Sequence, residues 1–294
     1  TQDNTELTTL FGKYTGASST ANATGMNGSA IGVLATNIGK LSTITGTLAL
    51  VGQDATAMTA LFGKYGAQLA TVSATGLDSA ALNVLAANTS KIDTASISGV
   101  MALTSGQDST ALTNLFAKDD AVANDTVVAT GMDATSVGLL TTNVANIATG
   151  GITGTFSVSA AQAATVGLGT KVNATAVVTI AGLTKNGGQT IENGVFQSGN
   201  DHLSFTSSSF SGASTFASAE TASTYVTLAN TSKVELVVGT GVSLVASAAE
   251  AAFLFDTATG ALTFDADGTG LSAATPVVTL TGINSISPTD FAFV

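Results

Sequence analysis

Apolar residues recur along this chain with a helical period in some stretches and gather into short β-branched runs in others. Ile31, Leu34, Ile38 and Leu41 fall at i, i+3, i+7 and i+10, and Val137, Leu140, Val144 and Ile147 repeat that spacing, which is one face of a helix. Met58, Leu61, Phe62 and Tyr65 give i, i+3, i+4 and i+7. Between these stretches lie "ITGTLAL" from Ile44, "ISGVMAL" from Ile97 and "ITGTFSV" from Ile152, with shorter runs around "TVSATGL" and "TVVATGM". Their composition predicts strands. Asp54, Asp78, Asp108 and Asp133 each stand where a strand gives way to a helix, the place for a short acceptor that caps free backbone N–H groups.

The same pattern reveals a repeat. The opening "TQDNTELTTLFGKY" returns as "GQDATAMTALFGKY" and, more loosely, at residues 107–119. Alternating with it is a second family: "ATGMNGSAIGVLATNIGKL" from Ala23, "ATGLDSAALNVLAANTSKI" from Ala74 and "ATGMDATSVGLLTTNVANI" from Ala129. The spacing is 51 residues and then about 55, so each period holds two strand–helix units. A unit of about 25 residues cannot bury its own apolar face, whereas a stack of such units can. Residues 1–185 are therefore expected to form an α/β strand–helix solenoid with parallel strands. Asn37, Asn88 and Asn143 recur at one helical position and predict a stacked hydrogen-bonding ladder. From residue 186 to 294 the helical spacing fades and β-rich alternation takes over, as in "KVELVVGTGVSLVAS" and "PVVTLTG", which predicts a β-sandwich or β-roll-like domain. Phe253 to Asp265 is expected to be a hairpin joined through Asp256 to Gly260, with a second turn from Asp265 to Gly270.

Composition narrows the function. Of 294 residues 45% are apolar but only 5% aromatic, and charged residues are 9%. Eight Lys and no Arg face 19 acidic residues, for a net charge of −11 and a pI near 4.1. Such a surface repels phosphate backbones, which argues against nucleic acid, and it suits divalent cations. There is no Cys, so disulfide and thiol chemistry are absent. Mean hydropathy is +0.43, yet the uncharged run at 134–170 is broken by Thr, Ser, Asn and Gly, so no membrane insertion is expected. Catalysis is not expected either. His202 is the one His, no G-x-S-x-G elbow exists, His/Cys clusters for zinc are missing, and with no Trp and three Tyr there is little for a sugar to stack on.

Three stretches, "SGNDHLSF" at 198–205, "AAFLFDTATGALTFDADGTG" at 251–270 and the final "VVTLTGINSISPTDFAFV", carry a resemblance. In this order they resemble the C-terminal region of RTX-type, haemolysin-like calcium-binding proteins exported by type I secretion. The strand–helix units are similar to repeats of bacterial surface-layer and adhesin proteins of that export class. The resemblance implies an uncleaved export signal within residues 186–294, an extracellular or cell-surface location, and Ca²⁺ as ligand. The tandem GGxGxDxxx nonapeptides of the family are missing; only "NGGQTIENG" at 186–194 and "SGNDHLSF" are similar to them. Individual ion sites remain as candidates. Asp265 and Asp267, with Gly268 after them, place two carboxylates and a turn carbonyl on one loop. Asp256 in the preceding turn, and Asp201 beside Asn200, complete the candidate ligand set.

The functional expectation is a secreted structural protein that self-assembles head to tail into a surface layer, sheath or filament. The alternative is a calcium-dependent adhesin or matrix-binding module acting without polymerisation. The expected partner is the chain itself, through heterologous contacts of the N-terminal coil, with cell-surface polysaccharide as a further candidate. The first repeat has no strand-like run before it. Either a longer precursor supplies that strand or a neighbouring subunit does.

Overall fold

The computed structural model describes residues 4–66, 72–210, 225–227, 233–241, 246, 251–268 and 271–294. It is a mixed α/β protein, with alternating strand–helix units in short parallel sheets followed by a β-rich region, and it divides into two compact units, Thr1–Ile152 and Thr153–Val294.

The first unit runs α1 (Asn4–Lys13), β1 (Ser19–Asn22), α2 (Gly28–Thr36), β2 (Leu41–Thr45), α3 (Ala55–Lys64), β3 (Val72–Ser73), α4 (Ser79–Ala87), β4 (Ile97–Ser98), β5 (Ala102–Thr104), α5 (Ser109–Phe116), β6 (Asp125–Val128), α6 (Ala134–Thr142) and β7 (Ile147–Thr153). β1 pairs with β2, β3 with β4 and β5 with β6, all parallel, and β7 joins β5 and β6 in one sheet. Each helix packs on the next along the chain. The expected caps are in place: the Asp54, Asp78, Asp108 and Asp133 carboxylates accept from the N–H three residues on, at 2.7–2.8 Å. Asn27 does the same for α2, at 2.9 Å from Ala30 N. Met58, Leu61, Phe62 and Tyr65 are all buried.

Three expectations are corrected here. The runs "ITGTLAL", "ISGVMAL" and "ITGTFSV" are not single strands. Gly46, Gly99 and Gly154 take φ of +85°, +79° and +87° and turn the chain, so each run is divided at its glycine. β2 ends at Thr45, β4 at Ser98 and β7 at Thr153, with Leu48 making only one further bridge, to Val72. The left-handed backbone needed there suits a residue without Cβ. Nor do Asn37, Asn88 and Asn143 form a ladder. Each caps its own helix C-terminus, its Nδ2 donating to the carbonyl four residues back (Val33, Val84, Leu139) at 2.8–3.0 Å, which adds a side-chain donor to the last turn. The bonds between units come from other side chains. Gln53 Nε2 donates to Gly28 O and Gln107 Nε2 to Ser79 O, both at 2.8 Å, while Lys40 and Lys91 Nζ donate to Phe11 O and Phe62 O. The apolar faces of α2 and α6 also end earlier than their spacing implied. A 3₁₀ turn follows each helix, and Leu41 and Ile147 are buried as strand residues.

The second unit contains β8 (Thr155–Ser159), α7 (Ala160–Ala163), α8 (Leu168–Lys171), β9 (Val177–Leu183), β10 (Gln189–Ile191), β11 (His202–Phe205), β12 (Tyr225–Thr227), β13 (Lys233–Gly239), β14 (Ala252–Asp256), β15 (Ala261–Asp265), β16 (Thr275–Leu280) and β17 (Phe291–Phe293). One sheet is four-stranded and parallel, in the order β17-β11-β9-β8. The other is six-stranded and mixed, β10-β16-β15-β14-β13-β12. The expected hairpin is β14–β15, with Phe253 opposite Phe264. Aromatic residues are few in the whole chain but gather here. Phe205, Phe210, Phe253, Phe264, Phe291 and Phe293 form one cluster, with neighbouring ring centroids 5.0–6.4 Å apart, the range in which tilted and edge-to-face pairs are favourable. That cluster anchors the strand end that carries Asp265.

Candidate functional site

Asp265 ends β15, and its carboxylate organises the turn that follows. Its Oδ1 accepts from Asp267 N at 3.2 Å and Gly268 N at 2.9 Å, an arrangement short side-chain acceptors favour at turns. Gly268 supplies a φ of +61°. Asp267 Oδ2 accepts from Ser272 N at 3.2 Å, while its Oδ1 is buried with no hydrogen-bond partner. Burial pushes the Asp265 carboxyl up, and the Asp267 carboxyl is held down chiefly by the Ser272 N–H. Two adjacent carboxyls with opposite shifts either share one proton or face a cation together. The structure thus brings Asp265 and Asp267 together. Gly270 of the expected turn lies outside the described residues.

The other candidates are not brought to this loop. Asp256 sits at the far end of the hairpin, opposite Ala261 while Asp265 is opposite Ala252. Four register positions separate them along the strands, roughly 13 Å. Both Asp256 oxygens serve its own turn, accepting from Ala258 N at 2.9 Å and Thr259 Oγ1 at 3.0 Å, which lowers its pKa. Asp201 is buried beside the parallel sheet. Its Oδ1 accepts from Val178 N at 2.8 Å and Asn200 Nδ2 at 3.1 Å, and its Oδ2 from Gln197 N at 2.8 Å. Asn200 Nδ2 also donates to Ala176 O at 2.6 Å. These bonds staple the "SGND" turn onto β9, a structural use of both residues.

Asp290 completes that staple. It is buried, and its oxygens accept from Ser198 Oγ at 2.6 Å, Gly199 N at 2.8 Å and Ser287 N at 2.9 Å. The signal was present as Ser287-Pro288-Thr289-Asp290, a capping box. His202 is exposed at the start of β11. Among the described residues, no group of three or more His, Cys, Asp or Glu gathers as a metal site, and no helix is long and apolar enough to cross a membrane.

A second feature lies in the first unit. Leu7, Leu10, Phe11, Tyr14, Leu34 and Leu41 line an apolar groove of about 410 Å³, whose wall includes β1. Leu10, Leu61 and Leu115 occupy the same place in the three repeats, yet Leu10 is 51% exposed and the other two are 0% exposed. In the second repeat, α3 packs against β2, Tyr65 bridges Ile44, and the Tyr65 hydroxyl donates to Gly46 O. Among the described residues, β1 pairs with β2 alone.

No protein-family model and no curated protein matches the chain.

Proposed function

We propose that this chain is a secreted structural protein whose strand–helix units stack as a solenoid and associate head to tail. The observation that carries the reading is the uncovered face of the first repeat, where Leu10 is open to solvent and its counterparts are closed. A strand seated in the groove of α1 and β1 would cover Leu10 much as the run from Ile44 flanks α3, and would add backbone hydrogen bonds to the free edge of β1. On this reading the occupant is a second copy of the chain, whereas a strand of the same polypeptide would fill the groove without self-association. A contact between two different surfaces propagates or closes to a ring, which suits a layer, sheath or filament at the cell surface. The RTX-like features of residues 186–294 support export to that location. On this reading the Asp265–Asp267 loop binds Ca²⁺, with the orphaned Asp267 Oδ1 as its strongest support.

The test is size-exclusion chromatography with light scattering and negative-stain microscopy, over a range of concentrations, on the wild type and Leu10→Glu. Leu10 is the better position than Leu7, which is buried, so a charge at Leu7 disrupts its own unit. Growing particles that disappear in Leu10→Glu, at an unchanged melting temperature, support assembly. A monomer at all concentrations favours the adhesin alternative.

A further inference from the structure

The connection between α5 and β6 holds buried oxygens that have no hydrogen-bond partner among the described residues. Asp125 opens β6, is 0% exposed, and its Oδ1 accepts from Met101 N at 2.9 Å. Asp201 plays the same part in the second unit, accepting from Val178 N, but there Gln197 N occupies the other oxygen. Asp125 Oδ2 has no such donor and is buried. Asp119 follows α5, bridges Ile97 and is 5% exposed. Its Oδ2 accepts from Asn146 Nδ2 at 2.5 Å, and its Oδ1 is buried without a partner of good hydrogen-bond geometry, the Asp120 and Ala121 N–H groups nearby offsetting only part of the cost of burial. Asn124 Oδ1 is a third buried oxygen without one. Asn146 ties the group together, because its side chain holds Asp119 while its carbonyl accepts from Asn124 N at 3.1 Å.

The repeat shows what has changed. Asp119 stands where the second repeat has Tyr65, and Asn146 where it has Lys91. Tyr65 and Lys91 are donors, to Gly46 O and Phe62 O. The third repeat has replaced a hydroxyl and an ammonium with a carboxylate and an amide, and no Lys has moved in to compensate. The neighbouring Lys118 points its Nζ at Ile92 O, 2.6 Å away. Leaving buried carboxylate oxygens without a donor or cation is costly. Oxygens of this kind, two anionic and one amide, are what a hard divalent cation takes, while His and Cys for a softer metal are absent.

We infer that Asp119 and Asp125, with the side-chain oxygen of Asn124, hold a divalent cation of the calcium class inside the first unit. Two carboxylates neutralise its charge, and this site is separate from the Asp265–Asp267 loop. Burial raises the carboxyls of both residues, and Asp119 and Asp120 add repulsion at Asp125, so the cation competes with protons.

The experiment is calcium titration calorimetry and thermal melting in metal-free buffer, on the full chain and four variants. Asp265→Asn/Asp267→Asn removes the loop carboxylates of the second unit and should leave one calcium equivalent bound. Asp119→Asn and Asp125→Asn should weaken that remaining binding at least about tenfold, equivalent to about 1.4 kcal/mol. Asn124→Asp supplies a third carboxylate and should tighten binding, a gain that does not depend on a destabilised variant folding. The inference is overturned if Asp265→Asn/Asp267→Asn binds no calcium, or if Asn124→Asp leaves the affinity unchanged. Retention of wild-type affinity by folded Asp119→Asn and Asp125→Asn also overturns it. In the first case the buried carboxyls are neutralised by protons instead of a cation.

Discussion

Substituting Asp125 by Asn should remove a specific pH dependence from the stability of the metal-free protein. Burial, opposed by the Met101 N–H and reinforced by the charges of Asp119 and Asp120, pushes the Asp125 carboxyl from its ordinary 3.8 to about 7. The folded state therefore holds this proton more tightly than the unfolded chain does. Between about pH 4 and pH 7 unfolding releases it, so stability falls as pH rises through that window and levels off above it. A shift of about three units corresponds to about 4 kcal/mol, an upper bound because Asp119 titrates in the same pocket. Asn is nearly isosteric, keeps an oxygen for Met101 N, and does not ionise. Urea unfolding from pH 4 to pH 8, in buffers stripped of divalent metal, gives the assay. The difference in stability, wild type minus Asp125→Asn, should fall by several kcal/mol across the window, and added calcium should restore much of it at pH 8. Parallel curves for the two proteins would refute the reasoning, because they would mean that Asp125 ionises as freely in the folded state as in the unfolded one.

Other outcomes follow from the local geometry. Gly99→Ala should destabilise by about 1–3 kcal/mol in chemical denaturation, because φ is +79° and a Cβ would collide with the Thr75 hydroxyl. Asp78→Ala should cost about 1 kcal/mol through loss of the cap on Ala81 N, and Asp78→Asn much less. Leu61→Ala should cost about 2–5 kcal/mol, whereas Leu10→Ala at the equivalent exposed position should leave the monomer's stability nearly unchanged. Calcium should raise the melting temperature of the second unit in the wild type and not in Asp267→Asn, because a ligand bound only to the folded form stabilises by mass action.

Much of the first unit was legible because its repeats restate one message three times. Helical spacing marks α2, α3 and α6, and the Asp before each of α3 to α6 names its start. The hairpin around Asp256 was equally plain, since aromatic-aliphatic runs flank a turn. The glycine corners were not. In "ITGT" the residues on both sides of Gly46 suit a strand, and only the positive φ reveals a turn, at a place where a Cβ would collide with Asn22 and Thr24. The Asn recurrence was visible, but spacing alone does not distinguish a capping amide from one that reaches a neighbouring unit. At the candidate sites, Asp265 and Asp267 could be paired from sequence because two residues on one turn are necessarily close. Asp201 and Asp256 stood behind them as further candidates, and only their hydrogen bonds show oxygens already in use. Asp119 and Asp125 were overlooked for the opposite reason. "AKDDAVANDT" reads as a solvated loop, and the burial comes from residues such as Met101 and Asn146, which lie about 20 or more positions away.

Sedimentation velocity across a hundredfold concentration range, on wild type and Leu10→Glu in the same buffer with and without calcium, tests head-to-tail association most directly. A weight-average sedimentation coefficient that climbs with concentration in the wild type and stays at the monomer value in Leu10→Glu is the expected result. A wild-type protein that sediments as a monomer throughout, or a Leu10→Glu variant that grows as readily as the wild type, would contradict a role for the α1–β1 groove in assembly.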